Sequence, residues 1–180
     1  AYFAPTGLDE ETFSMMKQSG LTHIEFGTES LSDRTLDAYQ KGFTVADVIH
    51  SSELCNRYDV HFAHFMILGG YGETEDTLRE TFENSKSINN SIFFPFVGMR
   101  IYPQTELHRI AIKENIVSEA DPLLEPVYYV ATGIDMDAIR VNAKATGKKW
   151  FFPDEDFSAG IARMRARNKK GLLWEYLIRY

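Results

Sequence analysis

Apolar and polar positions alternate in blocks along the first two thirds of the chain, and the period changes from block to block. Tyr2-Phe3-Ala4 reads as a strand end closed by Pro5. A helical stretch follows, capped at Asp9, running through Lys17 and ended by Ser19-Gly20. Leu21 to Phe26 reads as a strand. Leu21, Ile24 and Phe26 interrupt an otherwise polar pattern there, while His23, Glu25, Gly27 and Glu29 share one face. In a one-sided sheet that face meets solvent; in a barrel it lines the lumen. Ser32 opens a helix through Tyr39, and Thr44-Val45-Ala46-Asp47 fits a capping box before a helix to about Tyr58.

His61 to Leu68 is apolar on both faces, as a parallel strand buried between layers should be. Thr74 to about Ile88 is an amphipathic helix, Ile92 to Tyr102 a strand stopped by Pro103, and Glu106 to Asn115 a helix. This alternation predicts an α/β fold with a parallel sheet and right-handed crossovers. From about Ser118 the character changes, with Asp121-Pro122 and Glu125-Pro126 as interruptions. Helices are expected from about Asp135 to Lys144 and from Phe157 to Asn168. Leu172, Leu173, Trp174, Tyr176 and Leu177 form the docking side of a terminal helix. The division is thus 1–116, strand and helix, and 117–180, a mainly helical extension.

The most informative local feature is Gly69-Gly70-Tyr71-Gly72-Glu73-Thr74. It follows Phe65-Met66-Ile67-Leu68 and precedes an acidic helix start, so it is a strand, a glycine turn and a helix. Such turns at the carboxyl ends of parallel strands are where α/β proteins bind ligands. Gly27-Thr28-Glu29-Ser30 is a second signal of the same kind.

Composition narrows the classes. The chain has 180 residues, 44% of them hydrophobic, enough for one domain with a sizeable core. A net charge of −7 argues against nucleic-acid or anionic-membrane binding. No apolar run approaches the roughly 18 residues of a membrane span. The single cysteine, Cys55, excludes an internal disulfide and fits a reducing cytoplasm. One thiolate cannot hold an iron–sulfur cluster. The chain opens on Ala1 with no initiator Met, which is expected of a piece of a longer protein.

Other features have plainer readings. His61 and His64 are three apart on a strand and point to opposite faces, so a shared metal is not expected. His64 alone reads as a satisfied core histidine or a lumenal acid–base group. Asp154-Glu155-Asp156 reads as a loop and helix start, and Arg163, Arg165, Arg167, Lys169 and Lys170 as a solvated helix face.

Over residues 1–116 the chain resembles the carboxyl-terminal half of radical S-adenosylmethionine enzymes. The likeness rests on Gly27-Thr28-Glu29-Ser30, Ser32-Asp33-Arg34-Thr35-Leu36, Lys41-Gly42-Phe43-Thr44, Gly69 through Thr74, and Tyr102-Pro103-Gln104-Thr105, in the family's order and spacing. The tail, with Tyr128-Tyr129, Trp150 and Gly171-Leu172-Leu173-Trp174-Glu175, resembles more loosely that of members carrying a cobalamin-binding domain. The resemblance implies part of a (βα)6 barrel and a parent oxidoreductase or transferase. That parent would cleave S-adenosylmethionine reductively at a [4Fe–4S] cluster, to methylate or rearrange an unreactive carbon of a small-molecule or modified substrate. The family's CxxxCxxC loop is absent from these residues, so the chain alone should lack the cluster and generate no radical.

By the same resemblance, Glu29 and Ser30 face the ribose or amino-acid end of S-adenosylmethionine. Gly69, Gly70, Gly72 and Glu73 lie near its adenine, with Tyr71 in place of the family's usual proline. Arg100 to Tyr102 form an adenine platform, and Lys41 or Arg34 neutralises the ligand carboxylate. The alternative is a non-catalytic α/β module that binds a nucleotide or a protein. Half a barrel also leaves open strand edges and a bare lumen, so self-association, or a tail folded over the opening, is expected.

Overall fold

In the computed structural model, which describes residues 1–179, strand and helix alternate as the pattern predicts. The elements are β1 (Tyr2–Phe3), α1 (Glu10–Gln18), β2 (His23–Glu29), α2 (Asp33–Ala38), α3 (Val45–Arg57), β3 (His61–Leu68), α4 (Glu75–Ser85) and β4 (Ser91–Val97). They continue as β5 (Met99–Arg100), α5 (Glu106–Lys113), β6 (Tyr128–Tyr129), α6 (Met136–Ala145), β7 (Lys149–Trp150), α7 (Ser158–Ala166) and α8 (Leu173–Arg179). Five strands form one open parallel sheet in the order β1-β2-β3-β4-β7, a partial barrel rather than a closed one. β5 and β6 make a separate antiparallel ribbon.

Local chemistry sets most boundaries. Asp9 caps α1 through the Thr12 amide, and Thr44 and Asp47 close a reciprocal capping box on α3. Thr74 and Thr77 do the same on α4. Ser32 precedes α2, yet its hydroxyl donates to Glu80 instead of capping the helix.

Three boundaries depart from the expectation. The second strand runs from His23 to Glu29, not from Leu21 to Phe26, because the ladder to β3 carries the Gly27-Thr28-Glu29 motif into the strand. α4 stops at Ser85, and Lys86, Ser87 and Ile88 make tighter bonds to the carbonyls three residues back. β4 stops at Val97, five residues before Tyr102. Gly98 ends it with φ 82°, where a Cβ would lie 2.9 Å from the Tyr129 carbonyl, so the chain peels away to form β5.

The strand register sorts the two faces. Tyr2, Glu25, Ala63, Ile92 and Lys149 form one row across all five strands; Phe3, Phe26, His64, Phe93 and Trp150 form the next. Successive rows face opposite sides. The second row faces the helices, where Ile24, Phe26, Phe62, Met66, Leu68 and Phe93 are fully buried in the main core. The Trp150 ring stacks on Phe93 at 4.4 Å between centroids.

The first row belongs to the inner face. At its amino-terminal end α8 lies across it and buries Trp174 against Ala63 and Ile92. The Trp174 indole donates to Glu25 Oε1 at 2.9 Å, Glu175 lies 3.0 Å from His61 Nδ1, and Lys149 Nζ donates to the Leu177 and Ile178 carbonyls. The tail thus folds over the inner face, one of the two outcomes expected for it.

Candidate functional site at the strand carboxyl ends

The site is built where β2 and β3 end. Between Gly27 and Glu29 the β2–β3 ladder slips: Gly27 pairs with Phe65 and Glu29 with Met66, which leaves Thr28 as an extra residue. Bulges of this kind re-aim a side chain. Glu29 follows in the left-handed region, φ 64°. Its carboxylate swings back over Gly27, where a Cβ would sit 3.7 Å from Oε1. Glu29 therefore shares the inner face with Gly27, as alternation predicts. Lys41, on the loop after α2, reaches the same oxygen at 3.1 Å, and both side chains are largely covered.

Ser30 turns the other way. It is fully buried, and its hydroxyl lies 3.1 Å from that of Thr81 on α4, so it ties the strand end to a helix. Arg34 is well exposed and reaches Glu80 of α4, not the strand ends.

The glycine turn is held from two sides. Gly69 and Gly72 take positive φ, 77° and 81°. A Cβ on Gly70 would meet the Tyr39 hydroxyl at 2.2 Å, and one on Gly72 would meet Ala38 at 2.9 Å. Close packing against the end of α2 is thus a reason for both glycines. On the other side the Ala131 amide donates to the Gly69 carbonyl at 2.8 Å, and Tyr71 meets Tyr129 edge-on at 5.8 Å. Arg100 stands on the β5–β6 ribbon with its guanidinium 4.8 Å from the Tyr102 ring centre.

Glu73 closes the turn on itself. It is 3% exposed, its Oε2 accepts from the Gly69 amide, and its Oε1 has no partner. Burial raises its pKa to about 7, against the opposing pull of the Gly69 and Gly70 amides. The Tyr39 hydroxyl beside it is buried and also without a partner, and burial and the Glu73 charge push its pKa up. No pattern marked Tyr39, because its role arises only when Gly70, 31 positions later in sequence, packs onto it.

The remaining candidates lie elsewhere. His61 is on the inner face with Glu175; His64 is fully buried on the helix side, the core reading of that residue. Cys55 is buried in α3, and desolvation raises its thiol pKa. Asp154 pairs with Arg140, and Asp156 accepts from the Ser158 amide at the start of α7. Beside the carboxyl end of β4 a cavity of about 420 Å³ is lined by Phe96, Val97, Tyr128, Met136, Arg140 and Phe152 among others.

These strand ends lie inside a stretch that matches a known family: residues 2–84 match the model of the Radical SAM superfamily. Two relatives agree with it. The anaerobic magnesium-protoporphyrin IX monomethyl ester cyclase of Cereibacter sphaeroides is 34% identical over 74 residues, which is 41% of this chain and 12% of that protein. An uncharacterized methyltransferase of Pyrococcus horikoshii is 28% identical over 109 residues, 61% of this chain and 24% of that protein. The chain thus spans a quarter or less of either relative.

Among solved structures, the radical S-adenosylmethionine methyltransferase TsrM of Kitasatospora setae, with cobalamin and a [4Fe–4S] cluster bound, superposes with a TM-score of 0.76. The match takes in 99% of this chain and 42% of that one at 13% identity, so what the two share is the fold. TsrM with tryptophan substrate and a SAM analogue bound gives 0.74, and Elp3 of Methanocaldococcus infernus 0.57. No described helix is long and apolar enough to cross a membrane.

Proposed function

We propose that this chain is the S-adenosylmethionine-facing half of a radical SAM methyltransferase barrel, with residues 117–180 as an extension that closes the inner face from below. The observation that carries the reading is the Glu29–Lys41 pair, 3.1 Å apart at a strand carboxyl end beside the Gly69–Glu73 turn. An amino-acid moiety presents an ammonium and a carboxylate, and the pair offers the complementary charge to each. Glu29 would take the ammonium or a ribose hydroxyl, and Lys41 the carboxylate. The turn and the Arg100–Tyr102 ribbon would border the adenine. The methyltransferase relative and the TsrM fold support methyl transfer and cobalamin as a second cofactor of the parent.

A [4Fe–4S] cluster does not fit the residues present. The chain has one cysteine, and it is buried in α3. Its ligands would have to come from elsewhere in the parent protein, and no step through the cluster is assigned to this chain. That same lack favours the second reading, a non-catalytic nucleotide-binding module.

Calorimetric titration with S-adenosylmethionine, and separately with adenosine, distinguishes the two. Binding of S-adenosylmethionine that E29A abolishes, with adenosine bound weakly by both proteins, is expected. Equal binding of the two ligands, untouched by E29A, favours the nucleotide module. No binding of either sinks ligand recognition by this half alone and moves the test to the parent protein with a reconstituted cluster.

A further inference from the structure

His64 sits in the middle of the sheet, fully buried on the helix side. Its ring is stacked between Phe26 and Phe93, at 5.5 and 5.4 Å, its partners in register on the two neighbouring strands. Both ring nitrogens are engaged. Nδ1 lies 2.7 Å from Thr28 Oγ1 and Nε2 lies 3.2 Å from Ser52 Oγ. Ser52 Oγ donates its one hydrogen to the Val48 carbonyl, at 2.7 Å. Towards His64 it can only accept, so Nε2 carries the ring proton. Nδ1 is then the acceptor, and the Thr28 hydroxyl must be the donor. Burial also disfavours the charged ring, whose pKa falls to about 3.

The result is a one-way chain of donors: Thr28 to His64, His64 to Ser52, Ser52 to the α3 backbone. Its far end is the bulged residue. Thr28 is fully buried and directly precedes Glu29, whose left-handed backbone depends on where the bulge falls. The Thr28 carbonyl also accepts from the Ser30 amide at 2.8 Å.

We infer that His64 is a positioning residue: through Thr28 it fixes the bulge at the end of β2, and so the place at which Glu29 meets Lys41. The assignment rests on the proposed role of Glu29, but it is tested without any ligand, so its failure is separable from failure of that role.

Side-chain nitrogen NMR of the labelled chain between pH 5 and 8 should show His64 as the Nε2–H tautomer with no titration. An Nδ1–H tautomer, or protonation in that range, overturns the inference. H64F keeps a ring in the stack but leaves the Thr28 hydroxyl buried without an acceptor. H64F/T28V removes both partners, so stability should recover most of what H64F loses. In that recovered protein the Ser30 amide should exchange at least tenfold faster than in the native chain. The Glu29 carboxyl carbon should shift to its position in K41A. Native Ser30 protection and a native Glu29 signal in H64F/T28V would mean that His64 only fills the core.

Discussion

The two ends of β2, β3 and β4 are made of the same strands and finished in opposite ways. At the amino-terminal end the inner face is sealed: Glu25 holds the Trp174 indole, Glu175 lies between His61 and His23, and Lys149 caps the end of α8. At the carboxyl end the ladder slips, Glu29 and two glycines adopt left-handed backbone, and a buried carboxylate is half satisfied. There Phe96 remains 43% exposed, its ring 6.4 Å from that of Phe65. Stability is concentrated where the strands begin, and chemical capacity where they end. Strain and exposed surface mark sites that something else completes.

Substitutions along these strands put that contrast to the test. W174A removes the side chain that closes the sealed end and should destabilise by about 3–5 kcal/mol, read from denaturant unfolding. A loss under about 1 kcal/mol would mean that α8 is not a structural floor. E73Q comes next, with the opposite sign. The folded pKa of Glu73, about 7, lies above its ordinary carboxylate value. The folded state therefore prefers the protonated form, so this group's contribution is fully present below the ordinary value and is lost as pH rises through about 7. Native stability should fall across that window. E73Q should flatten the fall and gain about 1–3 kcal/mol at pH 8, with the glycine turn intact. Unchanged pH dependence in E73Q would show that Glu73 is charged throughout.

K41A should lower stability by only about 0.5–1 kcal/mol, as a partly exposed ion pair does, yet weaken S-adenosylmethionine binding at least tenfold. A large loss of stability would make the Glu29–Lys41 pair structural. F96A should change stability least, by under about 0.5 kcal/mol, because nearly half the ring already meets water. Sedimentation at rising concentration should show native self-association through the open inner face and the β1 edge, with F96A more monomeric. Equal behaviour of the two proteins would remove Phe96 from any such contact.

How much of this was legible in the sequence follows the range of each interaction. Helix starts are local, so Asp9, Thr44 and Thr74 announce themselves within four residues. The long strands show through hydrophobic runs, and His61 and His64 separate by simple alternation. The two-residue strands β6 and β7 have no period to read; Trp150 belongs to the sheet only because Phe93 offers it a face. Gly98 outranks Pro103 as the end of β4 because of a carbonyl 31 residues later in sequence. At the site the glycine turn and Glu29 stand out by residue type. The bulge at Thr28, the burial of Glu73 and the contact of Tyr39 with Gly70 depend on neighbours from other elements, which no local pattern encodes.

The indole of Trp174 and the carboxylate of Glu25 are 149 residues apart in the chain. During synthesis the inner face of β2 is therefore made long before the helix that covers it. Closing so long a loop is entropically costly, and contacts of this span form late. For that interval His23, Glu25, His61, Ala63 and Ile92 face water or whatever companion the nascent chain finds. A sheet whose floor lies 149 residues down the chain stays open on one side while those residues are being made.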